Sequence, residues 1–254
     1  MSYEHIRTEF SDGVATIVLN REPLNILNIA MMEEINSALK GFMQEQVKVL
    51  VFRAEGKSFS GGVDVGEHMG DMAPKMIEAF HAMFRNMDQL AVPSIAVVNG
   101  AALGGGCELA VYCDLVIASE KAKIGQPEIQ VGVFPPIAAL IFPRIMGRKK
   151  AMELILSGDV IKAQEAKELG LVNEVVAPDE LEDKAREFIQ KFTNHSGVVL
   201  KHTRQAILTG IEDEQEQVLQ KIEDLYLNKL MATEDAMEGL EAFLNKRKPE
   251  WKER

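Results

Sequence analysis

The sequence predicts an α/β fold of repeated strand and helix units, closed by a helical C-terminal region. Two observations carry this prediction. Short apolar runs such as Ser94 to Val98 and Leu115 to Ala118 read as strands covered on both faces. Longer stretches with apolar residues at helical spacing separate them, and beyond Pro178 only the helical period persists.

The elements follow in order. Ile6 to Phe10 and Val14 to Leu19 alternate like hairpin arms joined at Ser11-Asp12-Gly13, whose Asp-Gly pair is a turn signal. Asn28 can cap a helix bearing Ile29, Met32, Ile35 and Leu39, after which Val47 to Phe52 is a buried strand. The pattern returns as a helix over Pro74 to Leu90 (Met76, Phe80, Met83, Phe84, Met87), a strand at Ser94 to Val98, a helix from about Gly105 and a strand at Leu115 to Ala118. Helices then dominate: Ala138 to Met146, Arg148 to Leu156, and Ile161 to Leu169, closed by Gly170 before a last strand, Leu171 to Val176. The tail reads as Asp179 to Phe192, Gly197 to Leu208, Glu212 to Met231 and Glu234 to Asn245. Its stripe of Val218, Ile222, Leu225 and Leu230 needs cover from the core or from another subunit, so an oligomer is expected.

Composition removes several function classes. A net charge of -11 opposes a phosphate-binding track, so no nucleic-acid partner is expected. The opening MSYEHIRTEFSDG lacks the apolar core of a signal peptide, and no run approaches the ~20 apolar residues of a spanning helix. A cytoplasmic protein without a membrane partner is therefore expected. Cys107 and Cys113 form no CxxC pattern and read as packing residues, with no metal site.

Two glycine-rich stretches carry the chemistry. Gly104-Gly105-Gly106 precede a helix, where free N–H groups suit a negative oxygen. The stretch fits neither the P-loop nor the dinucleotide pattern. The second, FSGGVDVG from Phe59 to Gly66, follows a strand. One N–H from each would make an oxyanion hole; the simpler alternative is that Gly61 and Gly62 only make a turn. Glu108 lies inside an apolar helix, where burial raises a carboxyl pKa, and Glu128 follows a proline in a loop. Together they can flank a water as base and acid; separately, Glu108 can be a buried partner of a backbone N–H and Glu128 a surface residue.

The segments VNGAALGGGCELAVYCD and IGQPEIQVGVFP, in order with VATIVLNREPLNILN, FSGGVD, LSGDVIKAQEAKELGLVNEVV and FLNKRKPEW, resemble the crotonase superfamily of enoyl-CoA hydratases and isomerases. The resemblance implies a spiral of repeated ββα units over residues 1–195, with a helical trimerisation region over 196–254 that makes homotrimers or dimers of trimers. It implies an acyl-CoA thioester substrate and no separate cofactor, coenzyme A being part of the substrate. Carried onto this sequence, the oxyanion hole falls on the amides of Val63 and Gly105, and the catalytic carboxylates on Glu108 and Glu128. Substrate and coenzyme contacts fall on Leu24, Leu27, Gly62, Asp64, Gly104, Pro136, Phe243 and Lys246, with the Lys246 to Lys248 patch placed for the 3′-phosphate. Retention of both carboxylates points to water addition rather than isomerisation alone.

One departure stands out. Straight-chain hydratases of the family read Pro-Gly-Ala-Gly-Gly where this chain has Pro135-Pro136-Ile137-Ala138-Ala139, and Pro136 has no N–H to offer a ligand. With GGVDVGEHMGDM, this resembles the cyclohexa-1,5-diene-1-carbonyl-CoA hydratases. The alternatives are a straight-chain 2-enoyl-CoA hydratase or enoyl-CoA isomerase, then a non-catalytic acyl-CoA or RNA-binding relative. His68 and His81 are further candidates for acyl contact, and the methionines from Met69 to Met87 read as adaptable core.

Overall fold

The hairpin turns where Asp12 and Gly13 adopt positive φ angles of 53° and 79°, as a two-residue turn between twisted strands requires. The computed structural model describes residues 3–209 and 215–250. In it β1 (Ile6–Ser11) runs antiparallel to β2 (Val14–Leu19). Helix α1 (Ile29–Phe42) follows, with the Asn28 side chain accepting the Met31 N–H at its start and Met31, Met32, Ile35 and Leu39 buried.

The units then repeat as the resemblance implied, each giving one strand to each of two sheets. β3 (Val49–Ala54), β4 (Ser58–Ser60) and α2 (Met72–Leu90) form one unit. β5 (Ser94–Val98), β6 (Ala101–Leu103) and α3 (Gly105–Tyr112) form the next, and β7 (Leu115–Ser119), β8 (Lys123–Gly125) and α4 (Pro136–Met146) a third. After α5 (Arg148–Ser157) come β9 (Val160–Lys162), α6 (Ala163–Glu168) and β10 (Glu174–Val176). The large sheet has the order β1-β2-β3-β5-β7-β10 and the small one β4-β6-β8-β9.

Both faces of the large sheet are covered, as its apolar strands predicted. Leu50, Phe52, Ala96, Val98, Val116 and Ala118 face the main core. The alternate residues Val49, Val51, Ile95, Val97 and Ile117 meet Leu181, Ala185, Phe188 and Phe192 of α7 (Leu181–Thr193). Each valine, leucine, isoleucine or phenylalanine among them contributes about 1.5–3 kcal/mol on burial. The free cysteines Cys107 and Cys113 are buried as expected.

Two expected elements are corrected. Ile161 does not begin a helix: it pairs with Ile124 across β8 and β9, and the helix starts at Ala163. The strand expected over Leu171 to Val176 is confined to Glu174–Val176, because Leu171 and Val172 turn into the core.

The tail contains α8 (Gly197–Thr209), α9 (Gln215–Asp224), a π-helical turn over Leu225–Leu230 and α10 (Glu234–Leu244). Glu212, the expected start of the third tail helix, Trp251, and the Val218 and Leu225 side chains lie outside the described residues. Leu219, Ile222, Tyr226 and Leu230 pack on the main core, whereas α8 leaves Val198, Val199 and Ile207 more than half exposed. Among the described residues no helix is long and apolar enough to cross a membrane.

Candidate active site

Leu24 and Leu27 of the preceding segment hold the loop after β4. Leu27 donates its N–H to the Gly62 carbonyl (2.8 Å) and accepts the Asp64 N–H (3.0 Å), an isolated parallel bridge opposite Val63. In such a bridge the bonds go to the neighbours of the opposed residue, so the N–H of Val63 itself points to the other side. Gly62, at φ +112°, lets this loop approach the chain at Leu103, whose carbonyl would lie 3.2 Å from a Cβ at Gly62.

Gly105 opens α3, and its N–H is one of the orphan donors of a helix start. A Cβ there would lie 2.5 Å from Val63 Cγ2, so the two residues are in direct apposition. Neither amide has a hydrogen-bond acceptor among the described residues. Both residues line a cavity of about 320 Å³. Two unengaged donors at its wall can hold a carbonyl oxygen as negative charge develops on it.

Glu108 lies one turn further along α3 and is 2% exposed. Its Oε1 accepts the Ala138 N–H at 2.8 Å, and the carboxylate also accepts the Ile137 N–H. These are first-turn amides of α4, whose cap residue, Pro135, offers no side-chain acceptor. Glu108 thus caps a helix in another part of the chain. Pro136 occupies the first helical position, where its missing N–H costs the helix no bond, and the amides of the next two residues go to Glu108.

Glu128 sits on the 3₁₀ turn Pro127–Val131, whose C-terminal end is fixed by Gly132 and Val133 donating to the Glu128 carbonyl. It lines the same cavity as Glu108 and is not a surface residue. Gly104, at φ +51°, brings the α3 terminus so close that a Cβ there would lie 2.7 Å from Glu128 Oε1. Burial pushes Glu108 up to about 7 against the pull of the Ala138 and Ile137 amides. Burial, then the charge of Glu108, raises Glu128. Two carboxyls so placed resist ionising together, so one can accept a proton while the other holds one to donate.

The raised Glu108 value has a consequence for stability. Its ordinary value is 4.5, so between about pH 4.5 and 7 the folded state binds the proton more tightly than the unfolded one. Stability from this group is full below that window and is lost as pH rises through it. Glu108→Gln keeps an acceptor for α4 without the buried charge. Its stability relative to the parent is expected to rise by about 3 kcal/mol between pH 4 and pH 8. Urea unfolding at the two pH values measures this, and an equal difference at both would contradict a proton-holding Glu108.

Of the remaining expected contacts, Gly62, Gly104, Pro136 and Phe243 line the cavity. Leu24, Leu27, Asp64 and Lys246 do not. Leu27 is fully buried and acts through its backbone, Leu24 is exposed while its carbonyl holds the Gly61 N–H, and Asp64 caps the turn Val65–His68. Lys246 is exposed, and its neighbour Arg247 pairs with Glu238. His68 lines the cavity, its Nδ1 2.8 Å from the Asp64 carbonyl, and burial lowers its pKa. His81 lies outside the wall, fully buried against Glu223. Tyr226 and Phe134 also line the cavity without having been singled out in the sequence. The available signal for Tyr226 was a phenol within an otherwise apolar helical stripe.

The profile of the enoyl-CoA hydratase/isomerase family matches residues 9–254. The chain belongs to that family. A relative from Rhizobium meliloti named "Probable enoyl-CoA hydratase" is 40% identical over the whole of both chains. The cyclohexa-1,5-dienecarbonyl-CoA hydratase of Thauera aromatica is 36% identical over 93% of this chain and 92% of its own. The crystal structure of an enoyl-CoA hydratase from Mycobacterium avium subsp. paratuberculosis superposes with a TM-score of 0.89 at 29% identity, covering 99% of this chain and 100% of the other. The two sheets and their ββα units are thus the fold of the enoyl-CoA hydratase/isomerase family.

Proposed function

We propose that this protein adds water across the conjugated double bond of an enoyl-CoA thioester. The chain is an enzyme of the hydro-lyase type. The observation supporting the mechanism is the meeting of two unengaged amides, the buried Glu108 and the partly buried Glu128 in one cavity. Glu128 takes a proton from water while the water oxygen bonds to the β carbon. The double-bond electrons move toward the thioester, whose oxygen becomes an enolate held by the Val63 and Gly105 N–H groups. Glu108 then gives its proton to the α carbon, the carbonyl re-forms, and the proton that Glu128 took passes to Glu108, so the pair returns to its starting state. Water is added without net oxidation or reduction. The amides favour the charge that appears during reaction over the neutral bound thioester, which is the requirement for acceleration.

The proposed acyl group is the cyclic dienoyl of cyclohexa-1,5-diene-1-carbonyl-CoA. The aromatic wall of Phe80, Phe134, Tyr226 and Phe243 and the rigid Pro135-Pro136 pair suit a flat ring. A straight-chain 2-enoyl-CoA is the second reading, favoured by the name of the 40%-identical relative, which specifies no ring. Hydration of the cyclic dienoyl thioester is expected to exceed that of crotonyl-CoA at least tenfold in kcat/KM when the two are assayed in parallel. The reverse order selects the straight-chain reading, and no hydration of either overturns the function. The exposed Val198, Val199 and Ile207 of α8 support assembly as a homotrimer or dimer of trimers, which light scattering measures.

A further inference from the structure

The C-terminal helices contribute Tyr226, Leu240 and Phe243 to the cavity wall, and of these only Tyr226 carries a polar side-chain atom. Tyr226 is 1% exposed. Its ring stands edge-on to Phe134, with centroids 5.1 Å apart. It lies on the π-helical turn Leu225–Leu230, a rare geometry that recurs at functional positions because it rotates side chains away from their α-helical directions.

The helix preceding Tyr226 is fastened to α2. Three residues earlier, Glu223 accepts from Arg85 at 2.7 Å and meets His81 Nδ1 at 2.5 Å, both on α2. Phe80, the residue before His81, is itself part of the cavity wall. The ring is therefore held from the Phe134 side and through the helix that precedes it.

No hydrogen bond to the Tyr226 hydroxyl occurs among the described residues, and its oxygen is not one of the buried unpartnered side-chain atoms, consistent with a hydroxyl open to the cavity. Burial, Glu128 and Glu108, in that order, raise its pKa, so the phenol stays protonated and available as a donor. The hydration mechanism leaves a place for one. In that mechanism Glu128 accepts one hydrogen of the attacking water, one lone pair of the water points at the β carbon, and the Glu108 proton is committed to the α carbon. The water's second lone pair requires a donor.

We propose that the Tyr226 hydroxyl donates to the second lone pair of the attacking water and so aims the first at the β carbon. This role rests on the hydration reading. Tyr226 is then a water-positioning residue beside the two carboxyls.

The test is Tyr226→Phe in the full chain, which keeps the ring and removes the donor. The expected result is a fall in kcat of about 10- to 100-fold. KM for the thioester and affinity for a saturated acyl-CoA should stay within about twofold, with the thermal midpoint unchanged. If the parent hydrates the thioester and Tyr226→Phe matches it in kcat, the role is overturned while the hydration reading stands. A raised KM at constant kcat assigns the hydroxyl to acyl-group binding, and a lowered thermal midpoint tracking the loss assigns it to packing; either also overturns the role. If the parent and Glu128→Gln are equally inert on every enoyl thioester offered, the hydration reading fails and this role fails with it.

Discussion

Glu128→Gln is expected to lower kcat for hydration by about 10²–10⁴-fold, and Glu108→Gln by a similar factor, with the fold retained in both. An amide has the size of the carboxyl but can neither take the water proton nor deliver one to the α carbon. The two effects should not multiply. The carboxyls act as a pair, so the double variant should fall little below the poorer single variant. Loss of enoyl thioester absorbance under saturating substrate measures all three. Near-normal turnover by either single variant would remove the pair from the mechanism.

Gly105→Ala is expected to lower kcat by about 10²–10³-fold, the range typical of losing one oxyanion donor. The reason is spatial, because its new Cβ would stand 2.5 Å from Val63 Cγ2 and 3.1 Å from Phe80 Cζ. The loop bearing Val63 must retreat, so the two amides cease to converge. Overpacking of this kind also costs about 1–3 kcal/mol of stability. Val63→Ala in the Gly105→Ala background removes the obstructing methyl and should restore at least tenfold of the lost rate. Unaltered turnover in Gly105→Ala would show that the two amides do not act as a pair.

The large sheet was legible in the sequence because burial on both faces writes strands as unbroken apolar runs. Ser94–Val98 was read with its observed bounds, and Leu115 to Ala118 fell one residue short. The small sheet was not legible. β4, β6, β8 and β9 span three residues each, too few for a period to register, and β4 is a Phe between two serines. Ile161 was read as helical because its spacing to the following apolar residues also suits a helix; pairing with Ile124 decided otherwise.

The site shows the same division. Gly105 and Glu108 were legible because glycines before a helix and a carboxyl within an apolar run are locally anomalous. The bond from Glu108 to α4 was hidden, since its donors lie 29 and 30 positions away in a stretch marked only by two prolines. Leu27 was expected at the ligand, but its side chain is sealed in the core and its backbone orients Val63. Tyr226 escaped notice because aromatic residues in amphipathic stripes usually signify packing.

The attachment of Glu108 to α4 bears on how descendants of this gene would diverge. A lineage released from the need for turnover would still gain from a bonding oxygen at position 108, because the first-turn amides of Ile137 and Ala138 bond to it. Glutamate or glutamine there is consequently a poor marker of activity. Position 128 is the more informative one for separating working homologues from retired ones.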